Sequence, residues 1–407
     1  MRLFLLLITF FNIQVLKTPS NILFLARWYP DRYDPMPGLF IQRHAEVAAG
    51  FARVAILYLR AVPGNQERYQ IEQTIVNKVV TVRVYYRVCR SQRNIFTKIV
   101  SSFRFVMAFF KGYRYLLKSW GKPDILHVNV LTRLGMPALW LRVFHGISYV
   151  ITEHWSRYLP ITGTYKGLLR KVFTRLVVKH AAAISTVSLN LSNAMQQHGL
   201  QNAHYLVLPN VVDFELFKPS KEPIARKKKR FIHVSCFEDR SKNISGLLRV
   251  IGKLVQGRSD VECILVGEGI DLDNMRKYAL QLSLKEPEVQ FMGLLEDERL
   301  AEAYQGADFM VMFSNYENMP VVIGESFACG LPVVATSVGG IPEYVNDTNG
   351  RLVEARDENA LFRAISFMLD HHQDFNKSLI RDSAIEIFGK QSIIGKLKEL
   401  YGFVPHD

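Results

Sequence analysis

The feature that most narrows the fold is a rhythm that runs, breaks and runs again. Short apolar, β-branched stretches recur along the first half: NILFLA (21–26), RVAILYL (53–59), TVRVYY (81–86), DILHV (124–128), SYVIT (148–152) and AAISTVS (182–188). Helix-length amphipathic segments such as GLFIQRHAEVAAG and GLLRKVFTRLVVKHA lie between most of them. Apolar strands without alternation, joined by helices, predict parallel strands buried on both faces. The rhythm stops at VLPNVVDFELFKPSKEPIARKKKR, which holds three prolines, a basic run and no sustained period. It restarts with FIHVS (231–235), VECILVG (261–267), VQFMG (289–293), DFMVMF (308–313) and PVVAT (332–336), with helices expected near 243–256, 272–283, 296–305 and 320–329.

Two consecutive strand–helix arrays in 407 residues predict an α/β protein with two Rossmann-like, doubly wound parallel-sheet domains facing across a cleft. The expected organisation is an apolar extension (1–20), a first domain (21–209), a linker (210–230), a second domain (231–390) and a final helix (391–407). That helix is expected to pack back on the first domain. In open α/β sheets ligands sit beyond the carboxyl ends of the strands, so the loops after strands are where chemistry is sought.

Composition narrows the partners. With 51 basic against 37 acidic residues, the formal charge is +14. That suits nucleic acid, an anionic membrane surface or phosphorylated ligands. No zinc-finger spacing, recognition-helix signature or aromatic RNA-binding box occurs, so no nucleic-acid partner is expected. Cys89, Cys236, Cys263 and Cys329 are scattered without a C-x-x-C pair, and most read as core residues, not as disulfides or a metal site.

The N-terminal run Leu3 to Leu16 is too short to span a bilayer, and no small-x-small cleavage site follows it. It reads as an interfacial anchor, a leader or an extra strand in a cytoplasmic protein. Segment 87–120 carries eight Lys or Arg residues among Phe, Tyr and Trp. It fits a helix lying on an anionic membrane and equally a domain helix with one basic, solvated face.

The chemistry concentrates in YENMPVVIGESFACGLPVVATSVGGIPEYV, 316–345. Pro320 suits a first helical turn, Gly330 a position just past a helix end, and Pro332 blocks continuation. The helix therefore covers about 320–329, with Glu317 before its start and Glu325 inside it. Free amides near Asn318, Met319, Val321 and Val322, on either side of Pro320, which would line the same site, make that end a ready anion site, for which a diphosphate is the natural guest. Taken alone, the two glutamates read more readily as a dipole-complementing residue and a solvated one than as ligand contacts. Gly339-Gly340 and the glycines of LVGEG, with Gly267 first, end other strands. Arg240 and Lys242 stand in the loop after the second domain's first strand, where a fixed cation offsets charge on a leaving phosphate.

In this order KNISGLLRVI, ILVGEG, VQFMGLL, YQGADFMVMFS, YENMPVVIGESFACGLPVVAT, VGGIPEYV and NGRLV make the region 231–355 closely resemble the nucleotide-sugar domain of family-4 retaining glycosyltransferases, of GT-B fold. Weaker similarity, in LPNVVDFELF and TEHWSRY, extends over most of the chain. The resemblance implies that Glu317 and the amides after it hold the donor sugar and distal phosphate. Glu325 would bind the ribose and Lys242 the diphosphate, while Phe291 to Gly293 border the base. Gly38, in the loop after the first strand, would touch the diphosphate, and His154 would face the donor sugar. The family's arginine six residues before the lysine is replaced here by Cys236, and Arg240 is the candidate substitute.

The implied reaction moves a sugar from a UDP- or GDP-type donor to a hydroxyl acceptor, a glycan or lipid-linked glycan. It needs no cofactor, and no metal is expected. A nucleotide-sugar epimerase of the same architecture and a non-catalytic membrane scaffold are the competing readings.

Overall fold

A computed structural model describes residues 19–63, 67–88, 94–220 and 227–404. The apolar N-terminal run and Cys89 lie outside the described residues.

Eight strands form the first sheet: β1 (Asn21–Ala26), β2 (Arg53–Pro63), β3 (Tyr69–Val76), β4 (Val79–Val88), β5 (Ile125–Asn129), β6 (Ser148–Glu153), β7 (Ile184–Thr186) and β8 (Tyr205–Val207). Their spatial order is β3-β4-β2-β1-β5-β6-β7-β8. The second sheet has β9 (Lys229–Val234), β10 (Val261–Val266), β11 (Val289–Gly293), β12 (Phe309–Met312), β13 (Val333–Thr336) and β14 (Gly350–Val353). Its order is β11-β10-β9-β12-β13-β14, parallel throughout.

The parallel pattern holds except at one edge. β3 pairs antiparallel with β4 through a two-residue turn at Asn77 and Lys78, both at positive φ. Such a mirror-type turn matches the twist of its flanking strands. YQIEQTIV holds four polar residues among four apolar ones and is nowhere fully buried, so it carries none of the unbroken apolar signal that marks its neighbours.

Strand order explains where the cavities lie. Chain connections reverse direction between β1 and β5 in one sheet and between β9 and β12 in the other. Each reversal splits the helices to opposite faces and leaves a crevice at the carboxyl ends of those strands. The two crevices open toward each other.

The last helix, Lys390–Gly402, buries Ile393, Leu397, Leu400 and Tyr401 in the same cluster as Ile22, Phe24, Ile41 and Ala45 of the first domain. Its Tyr401 hydroxyl meets His127 Nδ1 at 2.8 Å, and His127 Nε2 meets Thr152 Oγ1 at 2.6 Å. These polar contacts pin the helix register inside an apolar cluster, where an unpaired group would be costly. The carbonyl oxygen of Pro209 meets His44 Nε2 at 2.9 Å, while His44 Nδ1 is buried without a hydrogen-bond partner.

Candidate active site

The second domain's crevice is built by two loops that clasp each other. After β9 the chain makes a short helix, Asp239–Lys242, ending at Asn243 in the left-handed region. After β12 comes Ser314-Asn315-Tyr316-Glu317. Asn315 N donates to Ser241 O at 2.7 Å, and Asn315 Nδ2 donates to Arg240 O at 3.0 Å. This brings the Lys242 ammonium onto Glu317 Oε1, which Ser314 Oγ also contacts at 2.8 Å. Both members of the ion pair are nearly buried, with side-chain exposures of 14% and 10%. Burial alone pulls the Lys242 pKa down, but Glu317, with Cys236 and Glu238, outweighs it and the net shift is upward. The cation is therefore fixed in place before any ligand arrives.

The helix predicted from Pro320 runs Val321–Ala328 with Pro320 at its N-cap. Its start is held by glycine at one position where nothing larger fits. Gly339 has φ +58, and a Cβ there would lie 1.9 Å from the Glu317 carbonyl oxygen. Gly340 N then donates to Asn318 O at 2.6 Å. The Gly-Gly pair thus shapes the Glu317 loop. Asn318, Met319, Pro320 and Val321 line a cleft of about 470 Å³ together with Lys242, Glu317 and Cys236.

The first domain closes that cleft with His154, Trp155 and Phe40. Glu153, fully buried at the end of β6, accepts N–H groups from Leu131, His154 and Trp155, and so fixes the loop that carries His154. Asn318 Nδ2 donates to the His154 carbonyl at 2.6 Å, tying the two domains at the cleft floor. The His154 ring lies 4.4 Å from Phe40, and its buried Nε2 has no hydrogen-bond partner. Burial, with His44 and His127 nearby, holds its pKa well below the ordinary value, so the imidazole is neutral. A neutral imidazole with an unspent nitrogen offers one hydrogen bond to a hydroxyl in the cleft.

A second, larger cleft of about 1010 Å³ adjoins the first at Cys236. Gly267, Glu325, Arg43 and the segment Leu294-Leu295-Glu296 are in its wall. Glu325 is buried, yet Arg43 of the first domain reaches its Oε1 at 3.2 Å and Tyr304 its Oε2 at 3.4 Å. Burial pushes the Glu325 pKa up, and Arg43 opposes that shift.

Four sequence candidates fall outside the linings. Arg240 is exposed and borders neither cleft: two residues from Lys242 on a helical turn, it points to a different side. Phe291 packs on Phe237, and Gly293 gives its carbonyl to Gly267 N; the segment just beyond them faces the cleft instead. Gly38 sits at φ +80 with its Cα against the Trp28 carbonyl, where a Cβ would come within 2.3 Å. It permits the turn that presents Met36, Leu39 and Phe40, and is itself covered. Among the described residues, no group of three or more His, Cys, Asp or Glu could hold a metal ion.

Residues 44–211 match the family described as glycosyl transferase 4-like domain, and residues 228–371 match glycosyl transferases group 1. The chain is a family-4 glycosyltransferase. An N-acetyl-alpha-D-glucosaminyl L-malate synthase of Bacillus anthracis is 26% identical over 70% of this chain and 76% of its own. A phosphatidyl-myo-inositol mannosyltransferase of Mycolicibacterium smegmatis is 26% identical over 63% of this chain and 66% of its own. Anabaena HepE, solved in complex with UDP, shares the fold with a TM-score of 0.69 over 93% of this chain and 98% of that one, at 16% identity.

In this glycosyltransferase the cleft residues that sequence reasoning missed include Arg43, Cys236 as a wall, Trp155 and Phe40. Arg43 lies 282 positions from Glu325, and no local pattern marks it. The Trp155 neighbourhood was legible only as the flank of His154.

Proposed function

We propose that this glycosyltransferase moves a sugar from a nucleoside-diphosphate donor to a hydroxyl on a lipid-linked or growing surface glycan, with retention at the anomeric carbon. The observation that carries the donor half is the buried Lys242–Glu317 pair beneath the start of helix Val321–Ala328, facing the unspent Nε2 of His154. That arrangement suits a diphosphate against Lys242 and the helix amides, with the sugar between Glu317 and His154. The nucleoside then extends into the larger cleft, its ribose at Glu325 and its base beside Leu294-Leu295-Glu296. Arg43 would share Glu325 with the ribose hydroxyls. The UDP bound by Anabaena HepE is consistent with such a donor.

As the glycosidic bond breaks, Lys242 and the amides take up the charge on the departing diphosphate. The retained configuration follows the family resemblance. The domains already touch through Arg43–Glu325, Asn318–His154 and the Glu343 carboxylate, which accepts the N–H groups of Leu189 and Asn190. Closure of the domains around the donor along these contacts would keep water from a site where hydrolysis would compete.

The acceptor half draws on the surface of the first domain. Helix Ile95–Ser119 exposes Ile95, Phe96, Ile99 and Phe103, and helix Leu168–His180 exposes Leu168, Leu169 and Val172, alongside Lys98 and Arg170. Apolar and basic side chains on one surface suit the interface of an anionic membrane. No helix among the described residues is long and apolar enough to cross one. The test is product analysis by ¹H NMR after incubation with a panel of UDP- and GDP-sugars and lipid extract. An α-linked product from an α-linked donor, formed only when extract is present, supports the proposal. Conversion of the donor sugar without extract identifies an epimerase and overturns it.

A further inference from the structure

The first sheet has a reversal point of its own, between β1 and β5, and the donor uses none of it. Arg27 follows β1, the segment Val130–Arg133 follows β5, and Arg157 follows β6, so three guanidinium groups crown three adjacent strands. Arg157 Nη1 reaches Thr132 Oγ1 at 3.4 Å, beside Arg133. Trp28, next to Arg27, stands edge-on to Trp155 at 5.2 Å, and the Arg157 guanidinium covers the Trp155 ring at 3.5 Å. Trp155 is also a wall of the donor-side cleft. The cluster therefore borders the place assigned to the sugar.

These cations are not balanced by the protein. Among the described residues none of the three makes an ion pair, and Arg27 Nε and Arg157 Nε are buried without a hydrogen-bond partner. Asn129 Oδ1, at the end of β5, is a third unpaired buried atom there. Glu153, the carboxylate that acts on Arg157, spends its oxygens on three backbone amides. Burial and mutual repulsion with Arg133 and Arg157 hold the Arg27 pKa below its usual value. Buried polar groups without partners are rare and need an explanation. The backbone adds one: Val130 and Arg133 both sit at positive φ, at 68° and 72°. A β-branched valine there is strained, and such strain concentrates at ligand sites.

We propose that Arg27, Arg133 and Arg157 form a binding site for a phosphate or diphosphate group carried by the acceptor. Guanidinium forks match phosphate oxygens in bidentate fashion, and a dianion supplies the charge this crevice lacks. The site lies between the two helices with exposed apolar faces. Arg133 stands over Phe105 of one helix, and Arg170 of the other repels Arg157. A phosphorylated headgroup held here leaves its hydrocarbon tail along those faces and its sugar hydroxyl toward Trp155. The inference rests on the donor assignment above only for what lies opposite it.

The test uses the full chain saturated with UDP or GDP, whichever it binds, so that the donor phosphate site is blocked. Calorimetric titration with inorganic pyrophosphate is expected to show one further site. Arg133→Gln, at an exposed position, and Arg27→Gln should each weaken that site about tenfold or more while nucleotide affinity stays at the wild-type value. Farnesyl diphosphate binding tighter than pyrophosphate assigns the anion to a lipid headgroup, and equal affinity assigns it to a soluble phosphorylated acceptor. Both uphold the site. Pyrophosphate affinity unchanged in Arg133→Gln, or farnesol binding as well as farnesyl diphosphate, overturns it. If neither nucleotide binds, the donor reading fails alone, and the pyrophosphate titration of Lys242→Met still decides the arginine site.

Discussion

Replacing Lys242 by Met separates two jobs that one side chain performs. The ammonium is the main countercharge of a nearly buried Glu317, whose other side-chain contact is the neutral Ser314 hydroxyl. Removing one partner of such a pair costs about 3–5 kcal/mol, because the remaining carboxylate stays buried. For a domain of this size that lowers the thermal midpoint by roughly 6–20 °C. The same change removes the fixed cation opposite the leaving diphosphate. Loss of one preorganised charge-stabilising donor typically reduces kcat by about 10²–10³. Lys242→Met is therefore expected to be both less stable and nearly inactive.

The double variant Lys242→Met/Glu317→Gln tells the two effects apart. With no charge left to strand, its stability should return to within about 1 kcal/mol of wild type, since replacing both partners is often nearly neutral. Its kcat should stay at least about 10²-fold down. Calorimetry and single-turnover transfer measured on the same samples make the comparison. A double variant that regains wild-type turnover would refute the catalytic reasoning, and one that regains no stability would refute the ion-pair reasoning.

Other expectations follow from single contacts. Gly339→Ala should weaken donor binding, because the left-handed backbone alone costs about 1–2 kcal/mol and the new methyl pushes on the Glu317 carbonyl; nucleotide titration measures it. Burial raises the Glu153 pKa to about 7, against the pull of three amide hydrogen bonds. The folded state then holds a proton that the unfolded chain releases at the ordinary carboxylate value. Stability from this group is full below about 4.5 and is lost as pH rises toward 7. Glu153→Gln should flatten that slope in denaturation curves compared with wild type, and an unchanged slope would remove Glu153 as its source. Phe96→Glu with Ile99→Glu should lower affinity for anionic vesicles about tenfold or more, without changing nucleotide binding. Equal co-sedimentation of this variant and the wild type would exclude that face as the membrane contact.

Local patterns in the chain carry the fold and half of the site. Apolar strands, the Pro-rich break and the Pro320–Gly330 punctuation are short-range signals, and helix Val321–Ala328 lies within a residue of its expected ends. β3 escaped because an edge strand that is nowhere fully buried looks like a polar connector. The amide-and-glutamate side of the donor cleft is legible for the same reason as the helix, since Glu317, Asn318 and Val321 are neighbours in sequence. Arg43, Arg27, Arg133 and Arg157 are not, because each is brought to its place by strand order and not by spacing. Arg240 shows the converse: it stands in the right loop, and the turn of a four-residue helix sends it outward.

Single-turnover transfer from labelled UDP- and GDP-sugars to a lipid extract tests the central assignment most directly. The account predicts a labelled glycolipid and released nucleoside diphosphate, both dependent on the extract and both reduced at least about 10²-fold in the Lys242→Met/Glu317→Gln variant. Label transferred by that variant at the wild-type rate, or nucleotide released equally without extract, would contradict it.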